Sequence, residues 1–122
     1  MDILNTCING DCVDVMQKIS NPFIDLAIAD PPFNINFSYD IYRDNRSEDE
    51  YTDWCLQWLN EISRLLCDDG NILICSDDKH VSDIDIICRR NLGLIRRDWL
   101  IWNYGFGQSG KLETRRKFTK SK

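Results

Sequence analysis

Long apolar runs are missing from this sequence. No stretch approaches the roughly 20 residues that a membrane-spanning helix needs, and no basic-then-apolar leader opens the chain. A cytoplasmic protein with no membrane partner is therefore expected. Histidine is scarce as well. His80 stands alone, and none of the cysteines (Cys7, Cys12, Cys55, Cys67, Cys75 and Cys88) forms a C-x-x-C pair. The common zinc and dithiol spacings are thereby excluded, and no metal is expected. The thiols read instead as small buried side chains in a reducing compartment. Glycine is too thinly placed to build a cofactor loop. Gly105-x-Gly107-x-x-Gly110 has the letters of the dinucleotide fingerprint, but a basic, non-amphipathic tail follows where that fingerprint requires a helix.

Positive charge is in deficit overall, with a formal net charge of −5, yet its distribution is uneven. Residues 1–110 carry 9 basic against 19 acidic side chains, a net of −10. Residues 111–122 carry Lys111, Arg115, Arg116, Lys117, Lys120 and Lys122 against Glu113, a net of +5. Two readings of that tail stay open: phosphate contact through Lys111, Arg115, Arg116 and Lys117, or a solvated terminal arm. At 122 residues, 43% of them hydrophobic, the chain is one domain at most.

The patterning alternates strand and helix, which predicts an α/β fold with a mostly parallel sheet flanked by helices. A short strand over Leu4–Asn9 is expected to end in a tight turn at Gly10, with a helix starting at Asp11 or Cys12 and running to about Ser20. Ile24–Ala29 reads as a buried parallel strand stopped by Pro31 and Pro32. Residues 34–46 are polar with scattered aromatics and no period. They read either as a functional loop beside a site or as a disordered surface loop. Ser47 and Glu50 form a capping box. Tyr51, Trp54, Cys55, Trp58, Leu59, Ile62, Leu65 and Leu66 then fall at helical spacing, a stripe that predicts core packing, with Gly70 closing the helix. A third strand over Asn71–Cys75, a helix from about Lys79 to Arg90 and a fourth strand over Leu94–Trp102 complete the pattern.

Asp30-Pro31-Pro32-Phe33 is the stretch with chemistry in it. It sits at a strand's carboxyl end, where open α/β sheets bind ligands. Prolines lack an N–H and have a fixed φ, and a residue preceding proline is itself restricted. The corner is therefore stiff and offers mainly acceptors, the Asp30 carboxylate and the Pro31 carbonyl. Two rigid acceptors suit an amine with two N–H donors. Phe33 adds a face on which a planar ring can stack. An amine on an aromatic ring is a poor nucleophile, because its lone pair is delocalised. Acceptors drawing on both hydrogens favour a pyramidal nitrogen and free that pair, so positioning and electrostatics can carry the reaction.

Asp-Pro-Pro-Phe resembles the catalytic motif of the S-adenosylmethionine-dependent amino-methyltransferases that act on DNA bases. Gly10-Asp11, Asp30 to Phe33 and the 94–119 region come in the order of that family's permuted group, whose catalytic half precedes its cofactor half. The resemblance implies a partial Rossmann-like methyltransferase fold with several strands missing. Residues 1–110 would be the catalytic half and 111–122 a basic tail leading toward DNA recognition. It implies Asp30, Pro31, Pro32 and Phe33 as catalytic residues, and Gly10, Asp11, Cys12 and Asp30 as contacts to the cofactor. The partner implied is double-stranded DNA with a flipped base. An aspartate first in the motif resembles the adenine-N6 enzymes. Asp11 keeps a second reading, that of a helix N-cap.

The departures are equally informative. The family's Phe-x-Gly-x-Gly motif and a recognisable target-recognition region are absent. In the family's sheet only the second and third strands seen here would be direct neighbours, leaving the others with bare edges. The expectation is therefore an N-terminal fragment, or a split-enzyme subunit that needs a complementary chain to supply the cofactor motif. An inactive remnant and an RNA amino-methyltransferase are the alternatives.

Overall fold

The computed structural model describes residues 3–102. Its order is helix α1 (Cys12–Met16), strand β1 (Ile24–Ala29), helix α2 (Glu48–Leu65), strand β2 (Leu66–Ile74) and helix α3 (Val81–Ile86), which continues into a π-helical turn over Ile87–Asn91. β1 and β2 pair in parallel as a two-stranded sheet, and α2 is the crossover between them. A parallel pair needs such a long connection, because a tight hairpin reverses the chain.

α2 forms where the capping box places its start. Ser47 Oγ accepts from the Glu50 N–H, and Glu50 Oε2 accepts from the Ser47 N–H at 2.9 Å. Glu48, Asp49 and Glu50 add negative charge to the first turn, where the helix dipole favours it. The stripe that follows is the core: Tyr51, Cys55, Trp58 and Leu59 are buried with Ile84 and Ile87, and Ala29, Ile72 and Ile74 of the sheet pack against them. Cys55 is the one fully enclosed thiol. Cys67 and Cys88 are half-buried, and Cys7, Cys12 and Cys75 are exposed, so burial of the thiols holds for part of the set only.

α1 is shorter than its sequence suggests. After Met16 the chain tightens into three-residue turns, Lys18 N–H to Val15 C=O at 3.1 Å and Ile19 N–H to Met16 C=O at 3.0 Å. Arg64 of α2 then donates to the Met16 and Ile19 carbonyls at 2.8 and 2.7 Å. A guanidinium thus takes up the acceptors that a helix end leaves open and pins α1 to α2.

Gly70 does not close α2. The helix ends at Leu65, Leu66 is already extended, and β2 runs nine residues with Gly70 inside it. Ile24 pairs with Leu66 and Leu26 with Asn71, so residues 67–70 bulge. A Cβ on Gly70 would lie 2.7 Å from the Ile24 carbonyl oxygen, and this close backbone approach is what requires glycine.

Two expected strands are absent among the described residues. Residues 4–9 and 94–102 carry no strand, and Ile95, Leu100 and Ile101 stand exposed. Neither segment has a neighbouring strand to bond with, and an extended segment with no ladder partner leaves its polar groups to water. β1 is likewise less buried than a parallel strand should be. Its second face shows Leu26 and Ile28 at 54% and 71% exposure, beside Leu73 of β2 at 49%. Among the described residues the fold is a small α/β unit with one covered sheet face. No helix among the described residues is long and apolar enough to cross a membrane.

Candidate active site at the carboxyl end of β1

β1 stops at Ala29, and Asp30 opens the proline corner as the sequence predicts. Three hydrogen bonds clamp that corner. Below it, the Cys75 N–H donates to the Ala29 carbonyl at 2.8 Å and extends the ladder by one rung. In its middle, the Tyr51 hydroxyl donates to the Pro32 carbonyl at 2.8 Å. Beyond it, the Asn34 N–H donates to Asp44 Oδ1 at 2.8 Å. The Asp30 carboxylate is exposed and makes no ion pair or hydrogen bond among the described residues, and the Pro31 carbonyl is likewise uncommitted there. Pro31, Pro32 and Phe33 are half-buried. The fold thus leaves available both acceptors that the sequence marks out for an amine. Asp30 and Phe33 line neither of two concavities nearby in the chain, one of about 290 Å³ around Arg46, Asp53 and Trp54 and one of about 430 Å³ around Leu4, Ile19 and Phe23.

The loop after the motif is built rather than disordered. Asp44 is 3% exposed and accepts from three backbone N–H groups, those of Asn34, Ile35 and Phe37, at 2.8, 3.1 and 2.9 Å. Its own carbonyl accepts from Asn36 at 2.7 Å. Asn34 and Asn36 have φ of 58° and 61°, the left-handed region that asparagine tolerates, and this lets successive N–H groups converge on one carboxylate. Asn34 and Arg46 exchange two further bonds, at 2.8 and 2.7 Å. Arg46 lies 5.2 Å from the ring centres of both Tyr42 and Trp54, which docks the loop on α2.

Tyr51, Asp44 and His80 are the residues that sequence reading passes over. Tyr51 sits in the apolar stripe, Asp44 in a segment without period, and His80 without ligand spacing. The one signal available in advance was Asn34-x-Asn36, a pair suited to left-handed backbone, followed by a nearby aspartate.

The residues expected to contact a cofactor are less settled. Gly10, Asp11 and Cys12 are exposed. Asp11 Oδ1 accepts from the Val13 and Asp14 N–H groups at 2.9 and 3.2 Å, so Asp11 is the N-cap of α1. It does not terminate a strand, because none forms over residues 4–9, so the shared sheet edge expected for Asp11 and Asp30 is not formed. Lys111, Arg115, Arg116 and Lys117, and the glycine-rich loop over 103–110, lie outside the described residues.

Comparison with known proteins gives these positions a context. Residues 24–122 match the DNA methylase family. The type II methyltransferase M.HpaI of Haemophilus parainfluenzae is 32% identical over 107 residues, covering 88% of this chain and 33% of that protein. The DNA adenine methyltransferase YhdJ of Escherichia coli is 31% identical over 99 residues, covering 81% of this chain and 33% of that protein. The type II methyltransferase M.HinfI of Haemophilus influenzae is 31% identical over 116 residues, covering 84% and 32%. The chain spans about a third of the length of these relatives. With the proline corner at a strand's carboxyl end and a match running from the first residue of β1 to Lys122, this chain belongs to the DNA methylase family.

Proposed function

We propose that this chain is the catalytic portion of a site-specific DNA methyltransferase that transfers methyl groups to the exocyclic amine of a base, adenine-N6 in the first instance. The observation that carries the reading is the pair of open acceptors at Asp30 and Pro31 on a corner whose Pro32 carbonyl is engaged by Tyr51. The Asp30 carboxylate and the Pro31 carbonyl hold the two amine hydrogens, and Phe33 stacks on a base flipped from the duplex. The aspartate in first position and the adenine-specific name of the Escherichia coli relative favour adenine over cytosine. In this reading β1 and β2 are two adjacent strands of a larger Rossmann-like sheet, residues 1–110 are the catalytic half, and the tail through Lys111, Arg115, Arg116 and Lys117 meets DNA phosphates.

S-adenosylmethionine, when bound, supplies an electrophilic methyl group. The described residues fit the amine end of that chemistry and not, by themselves, the cofactor end. Asp11 is engaged as a helix cap, and no strand sets Gly10, Asp11 and Cys12 on the edge that carries Asp30. The exposed apolar face of Leu26, Ile28 and Leu73 favours a partner segment that completes both the sheet and the cofactor pocket.

The test is methyl transfer to duplex DNA, run with this chain alone and with the other two thirds of the Escherichia coli relative supplied as a separate polypeptide. Label on adenine N6 that Asp30→Ala abolishes is the expected outcome. Label undiminished by Asp30→Ala excludes the role given to that carboxylate, and label on RNA instead of DNA moves the substrate class.

A further inference from the structure

The Asp30–Phe33 corner presents successive carbonyls with no N–H of its own at either proline. A stiff run of acceptors would hold an amine in more than one register. The fold narrows that ambiguity by engaging one of them, the Pro32 carbonyl, with the Tyr51 hydroxyl at 2.8 Å. Tyr51 is 1% exposed. Burial pushes its hydroxyl far above the ordinary phenol range, so it stays a protonated donor. Packing alone would be served equally by phenylalanine. The hydroxyl adds contacts that the ring does not need, one with the Cys55 thiol and one with the candidate catalytic motif.

Tyr51 is itself held from behind. The ring of His80, 1% exposed, lies 4.5 Å from the Tyr51 ring centre at 53°. Both nitrogens of His80 face carboxylates: Nδ1 is 2.8 Å from Asp77 Oδ1, and Nε2 is 3.1 Å from Glu48 Oε2. Lys79 bonds the other oxygen of Glu48. Glu48 lies in the first turn of α2 and Asp77 in the segment after β2, so the His80 ring ties those elements together beside Tyr51. A buried ring with both nitrogens bonded is restricted in its movement, and so is the tilted ring packed against it.

We propose that Tyr51 is a positioning residue for the Asp30–Phe33 motif, with His80 as the block that holds it in place. By taking the Pro32 carbonyl, Tyr51 removes the acceptor next to the Pro31 carbonyl from competition for the amine. This inference rests on the methyltransferase reading for its purpose, but its geometry can be measured without DNA or cofactor.

The experiment is carbon-detected NMR of the 122-residue chain labelled at proline carbonyls and phenylalanine amides. In Tyr51→Phe the Pro32 carbonyl and Phe33 amide resonances should shift, while the Trp58 indole and Leu59 methyl signals stay in place. In Glu48→Ala, which removes the Nε2 partner of His80, the Pro32 carbonyl should also move, a response that Tyr51→Phe abolishes. This second arm decides the matter where a His80→Gln variant does not fold. Pro32 signals that ignore both substitutions overturn the proposal, and so does a shift spread evenly through the core. In the transfer assay Tyr51→Phe should lower kcat roughly tenfold, the equivalent of one hydrogen bond, with the KM for DNA little changed. An unchanged kcat removes the positioning role even if the bond is real. A wild type inactive with every complement counts against the methyltransferase reading and leaves the NMR result to stand on its own.

Discussion

The two faces of the β1–β2 sheet are made of similar residues and have different fates. Ala29, Ile72 and Ile74 lie against α2 in the core, while Leu26, Ile28 and Leu73, set between them by the strand alternation, face outward uncovered. Apolar residues on both faces are the mark of a parallel strand buried on both sides. The difference teaches that this sheet is composed for two covers and has one among the described residues. It also explains why the segments at 4–9 and 94–102 carry strand-like sequence without forming strands. Their side chains are suited to a sheet, and the ladder partners are not beside them.

Substitution on each face is the direct way to break that comparison. The largest effect belongs to the covered side. Leu59, fully buried under the sheet, should cost about 2–5 kcal/mol on truncation in Leu59→Ala, read as a loss of urea midpoint. An intermediate effect belongs to the loop that follows the motif. Asp44→Asn keeps one acceptor and removes the oxygen that serves Ile35 and Phe37, so a loss of about 1–3 kcal/mol is expected, with faster amide exchange at those residues. The smallest belongs to the open face. Ile28→Ser in this chain alone should change stability by no more than about 0.5 kcal/mol. A cost at Ile28 as large as at Leu59 would mean that the face is covered in solution, by a second copy or by the remainder of the chain.

Much of the candidate site was legible in advance because its determinants are local. Two prolines stop a strand wherever they stand, and Ser47 with Glu50 starts a helix on its own terms, so both ends of β1 and the start of α2 lie where the sequence placed them. Other features were misread for the opposite reason. Gly70 looked like a helix terminator because its spacing after the stripe suits one. Its actual constraint is the approach of the Ile24 carbonyl, 46 positions earlier in the chain. Asp11 looked like the end of a strand, and the strand depended on neighbours that are not there. Asp44 looked like one polar residue among many in a loop without period.

The residue pattern by itself determined an α/β unit, a stiff acceptor corner at Asp30, and an amphipathic helix to pack beside it. These follow from φ restriction, capping and periodicity, which act within a few residues. Only the tertiary structure decided which of those acceptors remain open. Tyr51 reaches Pro32 across 19 positions, and Asp44 gathers three amides 7–10 positions back. Hydrogen bonds over such separations depend on how α2 and the loop pack on the sheet, and nothing in the local sequence states that distance.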